Sequence, residues 1–177
     1  ESGSERVRRE ILKRPKYDNG SLIKFCNLAK EVGIEANLFV LVGIPGETLS
    51  DFKETIACTR ECNPQHVHLS IFYPYPGTDL FFMARDMGVL QNGTLKPVFE
   101  RRTANLDLPG FSKKQIQREF LLFYYNVYKG RLPFYKIASR VIRELVFLYP
   151  MLNELYIKMS DYRIVKPLLK KLSTFRK

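Results

Sequence analysis

Leu41-Val42-Gly43-Ile44-Pro45-Gly46-Glu47-Thr48 is the stretch that decides the fold. The apolar run Leu38 to Val42, bounded by Gly and Pro, has the length and composition of a buried strand. Gly43 and Gly46 lack side chains where the strand ends, so a ligand could approach the backbone closely there. Thr48, with Asp51 three residues on, reads as a helix N-cap with an acidic residue in the first turn. Strand, glycine-rich turn and helix is the layout in which α/β proteins hold nucleotides. A P-loop requires Gly, four residues, then Gly-Lys-Ser/Thr, with the Lys reaching phosphate. Glu47 stands where that Lys is needed, and the dinucleotide fingerprint G-x-G-x-x-G is absent. For the stretch taken alone, the alternative is an ordinary strand-to-helix turn without a ligand.

Outward from this turn the chain alternates helix and strand. Arg6 to Lys13 predicts a short helix broken by Pro15. Ser21 to Val32 places Leu22, Phe25, Cys26, Ala29 and Val32 at helical spacing and stops at Gly33, a fitting C-cap. Asn37 to Val42 is a strand, and Leu49 to Glu61 a helix ended before Pro64. His66 to Tyr73 alternates as a strand, and Asp79 to Met87 is a helix stopped by Gly88. Units of this length imply right-handed parallel connections. His66 and His68, the only histidines, fall on one face of their strand with Ser70, and Val67, Leu69 and Ile71 fall on the other. The second set is expected to pack on helices. His68 and Ser70 are thus candidates to meet substrate, the alternative being hydrogen-bonded residues without a chemical role. A metal site would need further ligands, and none can be named.

Three motifs occur in order: Glu1-Ser2-Gly3-Ser4, Gly43-Ile44-Pro45-Gly46-Glu47-Thr48 and Tyr73-Pro74-Tyr75-Pro76-Gly77-Thr78. Together they resemble the second half of a radical S-adenosylmethionine enzyme, most closely the cobalamin-binding-domain subgroup that includes anaerobic magnesium-protoporphyrin ester cyclases. The resemblance fades after about Asn92. It implies an α/β fold, the second half of a partial (β/α) barrel, with the cofactor at the C-terminal ends of the strands. Glu1 and Ser2 would end the fourth strand and contact the ribose and amino-acid part of S-adenosylmethionine. Arg14 would face the carboxylate. Gly43, Ile44, Pro45 and Gly46 would border the adenine, and Tyr73 to Pro76, with Tyr73 and Pro74 foremost, would end the sixth strand and pack against it. A 4Fe-4S cluster is implied as well, and cobalamin as a further cofactor. A related radical enzyme without cobalamin, such as a transfer RNA modifier, is a further alternative.

The cluster motif C-x-x-x-C-x-x-C departs from this picture. Cys58 and Cys62 have its first spacing, but the third position is Gln65. Cys26, Cys58 and Cys62, the only cysteines, read as helix residues on or near apolar faces, and an odd unpaired set fits a reduced, cytoplasmic setting. The chain is therefore expected to be a fragment, inactive alone, with the cluster ligands upstream of Glu1. No catalytic acid or base is identifiable. A half-barrel would expose strand edges, which favour association with another copy.

The 177 residues are long enough for one compact domain, or a half-barrel with a helical extension. No apolar run approaches the roughly 18 residues of a membrane span. The net charge of +11 is unevenly placed: residues 1–112 carry 14 basic and 14 acidic residues, and residues 113–177 carry 15 basic and 4 acidic. This suggests a barrel part over 1–94, a linker or crossing segment over 95–111, and a basic helical extension over 112–177. Ser112 with Gln115 predicts a capping box, and Phe111 with Ile116 a hydrophobic staple. A second helix is expected over Phe134 to Leu148, and two more over Met151 to Met159 and Tyr162 to Leu172, the last kinked by Pro167. Clustered Lys and Arg could grip nucleic acid, but the aromatics sit at core spacing, so base stacking is not indicated. Basic-aromatic amphipathic helices can instead lie on an anionic membrane, and this partner ranks first. A basic site for an anionic or lipid-like substrate is the third reading. The non-enzymatic alternative is an α/β scaffold whose basic tail docks on membrane or nucleic acid.

Overall fold

The protein is described by a computed structural model covering residues 1–14, 16–90, 101–149, 152 and 154. Its elements follow the expected alternation. After a five-residue π-helical turn, Val7–Ile11, come α1 (Asn19–Glu31), β1 (Asn37–Val42), α2 (Leu49–Cys62), β2 (His66–Ile71), α3 (Asp79–Asp86), α4 (Lys113–Tyr128) and α5 (Phe134–Leu148). The two helices expected beyond Pro150 lie outside the described residues, apart from Leu152 and Glu154.

β1 and β2 pair in parallel, with Asn37 opposite His66 and Val42 opposite Ile71. Backbone contacts extend this pair on both sides. Leu41 donates its N–H to the Glu1 carbonyl at 2.8 Å, and Ile71 donates to the Arg101 carbonyl at 2.9 Å. The second strand is shorter than expected: the ladder stops at Ile71 because its partner β1 ends at Val42, where the chain turns away at Gly43 with positive φ.

Helix starts follow side-chain chemistry. Asp18 caps α1 by accepting from the Ser21 N–H, two residues earlier than the apolar period suggested. Thr48 and Asp51 form the capping box of α2, and Ser112 and Gln115 that of α4. Each such cap satisfies N–H groups that a helix end leaves open, a contribution of about 1 kcal/mol. The turn before α1 departs from the expected α-helix. Leu12 donates to the Val7 carbonyl, a π-type bond, and both Val7 and Arg8 are buried.

One core cluster joins the sheet to the helices. Val67 and Ile71 from β2, Val40 and Val42 from β1, and Phe52 from α2 share it with Phe120, Phe123 and Val127 from α4. Phe52 lies between Phe111 and Phe123, at 5.9 and 5.8 Å between ring centroids. The segment 101–111 belongs to this core as well, since Ala104, Leu106, Leu108 and Phe111 are buried in it. Gln117 of α4 holds the segment by accepting from the Ala104 N–H and donating to the Arg102 carbonyl. A second cluster, between α1 and α2, contains Cys26, Ala29, Ala36, Cys58 and Cys62. The apolar stripe expected on α1 is split: Cys26 and Ala29 are buried, whereas Phe25 and Val32 are exposed.

A cleft on the outward face of the strand pair

The opening Glu1-Ser2-Gly3-Ser4 is fastened to the molecule by polar side chains. Ser2 Oγ shares a hydrogen bond with Thr55 Oγ1 at 3.1 Å, and the Gly3 N–H donates to the same oxygen at 3.0 Å. Ser4 Oγ donates to Asp51 at 2.8 Å. Arg8 is wholly buried and donates to the Ser2 carbonyl at 3.0 Å and to Asn19 Oδ1 at 2.7 Å, with Tyr17 stacked over its guanidinium. Asn19 donates in turn to the Gly3 carbonyl. Gly3 is required by space: a Cβ there would lie 2.7 Å from the Thr55 Cα and 2.8 Å from the Cys58 Cβ.

These fastenings set Glu1 at one edge of a cleft of about 350 Å³. The floor is the outward face of the strand pair. Phe39 stands opposite His68 and Leu41 opposite Ser70, and all four line the cleft. The Phe39 and His68 rings are stacked at 4.8 Å and nearly parallel. Val40, Ile71, Phe72, Tyr73, Tyr75 and Arg101 complete the lining. The opposite faces of the strands carry Val67 and Ile71 into the core, as the alternation predicts.

The expected cofactor residues take different places. Glu1 and Tyr73 line the cleft, and Arg14 lies 3.4 Å from the Glu1 carboxylate. Ser2 is buried toward α2. Ile44, Pro45 and Pro74 are buried and are not part of the cleft lining. Gly43 and Gly46 have positive φ, which only glycine adopts without strain. The space they leave is taken by the chain itself: a Cβ on Gly43 would lie 3.2 Å from Ile116, and one on Gly46 3.0 Å from both Ile11 and Met83. This turn therefore packs against α4, the π-turn and α3.

Glu47 is the buried centre of the turn. Its Oε2 accepts from the N–H groups of Gly43 at 2.6 Å and Ile44 at 3.2 Å, and its Oε1 has no hydrogen-bond partner among the described residues. Burial pushes its carboxyl up to about 8, against the lowering effect of the two N–H groups. Asp51, close by, behaves oppositely. Burial would raise it, but hydrogen bonds from Arg6, Thr48 and Ser4 outweigh that and hold it well below the usual carboxylate range.

The cysteines do not fit an iron–sulfur cluster. All three are free thiols buried between α1 and α2. Burial raises Cys26, and the hydrogen bond between Cys58 and Cys62 lowers the first thiol and raises the second. Among the described residues, no group of three or more His, Cys, Asp or Glu is placed to hold a metal ion. No helix among them is long and apolar enough to cross a membrane.

Sequence reasoning missed Phe39 and Arg101 as cleft residues and Arg8 as the anchor of the opening segment. Phe39 could not be distinguished in an apolar run that reads as buried throughout, since its outward face depends on the pairing with β2. Arg8 lies in the run Arg6-Val7-Arg8-Arg9, which looks like a solvated charge patch.

No family model matches the chain. Over 106 residues, 59% of this chain, it is 29% identical to a protein of Bifidobacterium adolescentis named tRNA-2-methylthio-N(6)-dimethylallyladenosine synthase. Over 89 residues, 49% of this chain, it is 30% identical to proteins of the same name from two strains of Thermus thermophilus. The matched stretches make up 21% and 19% of those proteins, so the chain spans about a fifth of the length of the curated relatives it matches. The similarity is distant and partial, and it points to a radical S-adenosylmethionine enzyme family. It lends no support to the cobalamin-binding subgroup.

Proposed function

We propose that this chain is part of a radical S-adenosylmethionine enzyme and forms one wall of the site where S-adenosylmethionine and substrate meet. The β1–β2 pair is then two neighbouring strands of a partial (β/α) barrel. The observation that carries this reading is the cleft itself. Residues from two of the three motifs, Glu1 and Tyr73, meet the outward strand residues His68 and Ser70 around one opening. The third motif lies behind it as a packed turn.

When bound, S-adenosylmethionine supplies the adenosyl group for hydrogen abstraction from a substrate. The residues of this chain position and enclose. Leu41 and Phe39 offer apolar surface, Ser70 and His68 offer hydrogen-bonding groups, and Glu1 is steadied by Arg14. Reductive cleavage needs an iron–sulfur cluster, and the buried thiols here do not form its site, so no redox step is assigned to this chain. The relatives act on transfer RNA by their name, and a nucleoside in RNA is the substrate class we favour. Cobalamin is not part of the proposal.

The test uses the intact gene product, purified without oxygen and reconstituted with iron and sulfide. With dithionite and S-adenosylmethionine it is expected to form 5′-deoxyadenosine, read by mass spectrometry, whereas the 177-residue chain alone forms none. Ser70→Trp, which fills the cleft floor, is expected to abolish product while the cluster absorbance stays. Absence of 5′-deoxyadenosine from cluster-loaded protein would sink the proposal.

A further inference from the structure

We infer that the outer face of α5 is a docking surface for an anionic lipid bilayer. The inference is independent of the cleft and of the radical reading. α5 is rotated so that its charged pair faces the protein. Glu144 is paired with Arg102 and lies 3.7 Å from Arg140, and the Arg140 guanidinium rests over the Tyr124 ring. Ile137 is buried on the same side. This rotation turns the other side of the helix outward. Tyr135 and Ile142 lie there, seven residues apart, and are 62% and 58% exposed, while Phe134 at the helix start and Tyr149 just past the helix end are 75% and 58% exposed. An outward stripe of this kind on a soluble helix needs a partner.

Charge selects the partner. Lys136 and Arg143 are exposed on α5 beside the stripe, and Lys129 and Arg131 are exposed just before the helix. Residues 113–177 carry all of the net charge of the chain. Aromatic and aliphatic groups flanked by Lys and Arg match the two layers of an anionic membrane surface, acyl boundary and headgroup. A nucleic acid would be served by the cations but would leave Ile142 and Phe134 in water. A second copy would bring two strongly basic faces together. An exposed apolar face also exists on α1, at Phe25, Leu28 and Val32, but it lies in the part of the chain without net charge.

The experiment is vesicle flotation of the 177-residue chain with phosphatidylcholine alone and with added phosphatidylglycerol. Binding is expected only with the anionic lipid and is expected to fall as salt is raised. Ile142→Asp and the double variant Lys136→Glu with Arg143→Glu are each expected to weaken partition about tenfold or more, with unchanged circular dichroism. Because these positions are exposed, both variants fold. Four results would overturn the inference. They are no flotation with phosphatidylglycerol, flotation indifferent to Ile142→Asp, a dimer in light scattering that Ile142→Asp dissolves, and tight binding of an RNA hairpin that the charge variants abolish and Ile142→Asp leaves intact.

Discussion

Two carboxyl groups a few residues apart carry opposite pH dependence. Glu47 has a folded-state value near 8, above its ordinary 4.5, so the folded state holds its proton more tightly. Its contribution to stability is fully present below about 4.5, is eroded as pH rises, and is gone once pH has risen through about 8, at a slope of about 1.4 kcal/mol per pH unit. Asp51 is depressed, so its contribution is present above its unfolded value and is lost as pH falls through the lowered one. Glu47→Gln keeps an oxygen for the Gly43 and Ile44 N–H groups and cannot ionise. Urea denaturation is expected to show the variant more stable than the wild type at about pH 9 and similar at about pH 5. An unchanged pH slope would remove Glu47 from this role. Gly3→Ala tests the opposite kind of constraint. Its Cβ would meet backbone and Cβ atoms of α2, which cannot move aside as a flexible side-chain tip could. A loss of about 1–3 kcal/mol is expected, typical of overpacking, together with release of Glu1 from the cleft edge.

Helix α2 shows how one element serves both packing and position. Its N-terminus is tied by the Thr48–Asp51 capping box, and Asp51 also grips Arg6 at 2.6 Å and Ser4 at 2.8 Å. Thr48→Ala therefore removes a cap and is expected to cost about 1 kcal/mol in a thermal or urea melt. Its far face holds Phe52 against Phe111 and Phe123. Phe123→Ala should cost about 3–5 kcal/mol, because the residue is buried on all sides and the surrounding rings cannot collapse fully into the gap. A much smaller loss would mean that α4 is only loosely seated on the sheet. Helix α5 differs in kind, since few of its side chains enter the core and its orientation depends on the Arg102–Glu144–Arg140 group.

At the scale of the molecule, the change in charge near residue 112 does not coincide with a break in the core. Residues 1–112 are neutral and residues 113–177 strongly basic, yet Phe120, Phe123 and Val127 pack with Val40, Val42 and Val67 in one cluster. Ending the chain before Ser112 would uncover that side of β2 and Phe52. The shortened protein is expected to lose its cooperative thermal transition, followed by circular dichroism. A retained sharp transition would show that residues 1–111 hold a core of their own.

Local chemistry made much of this legible in the sequence. The bounds of β1 and α5, the capping boxes at Thr48 and Ser112, and the two faces of β2 follow from turn residues, side-chain oxygens and alternation, all of which act within a few residues. The shared face of His68 and Ser70 followed from the same alternation, and that face lines the cleft. Tertiary structure alone decided the rest, because it depends on partners distant along the chain. The exposure of Phe39 required β2 at its side, and the burial of Arg8 required the Ser2 carbonyl and Asn19. The packing of Gly43 and Gly46 required Ile116 and Met83. The outward turn of the apolar stripe on α5 required Arg102 to draw Glu144 inward. A hydrophobic period states that a helix has two faces, but it does not state which face the rest of the molecule will cover.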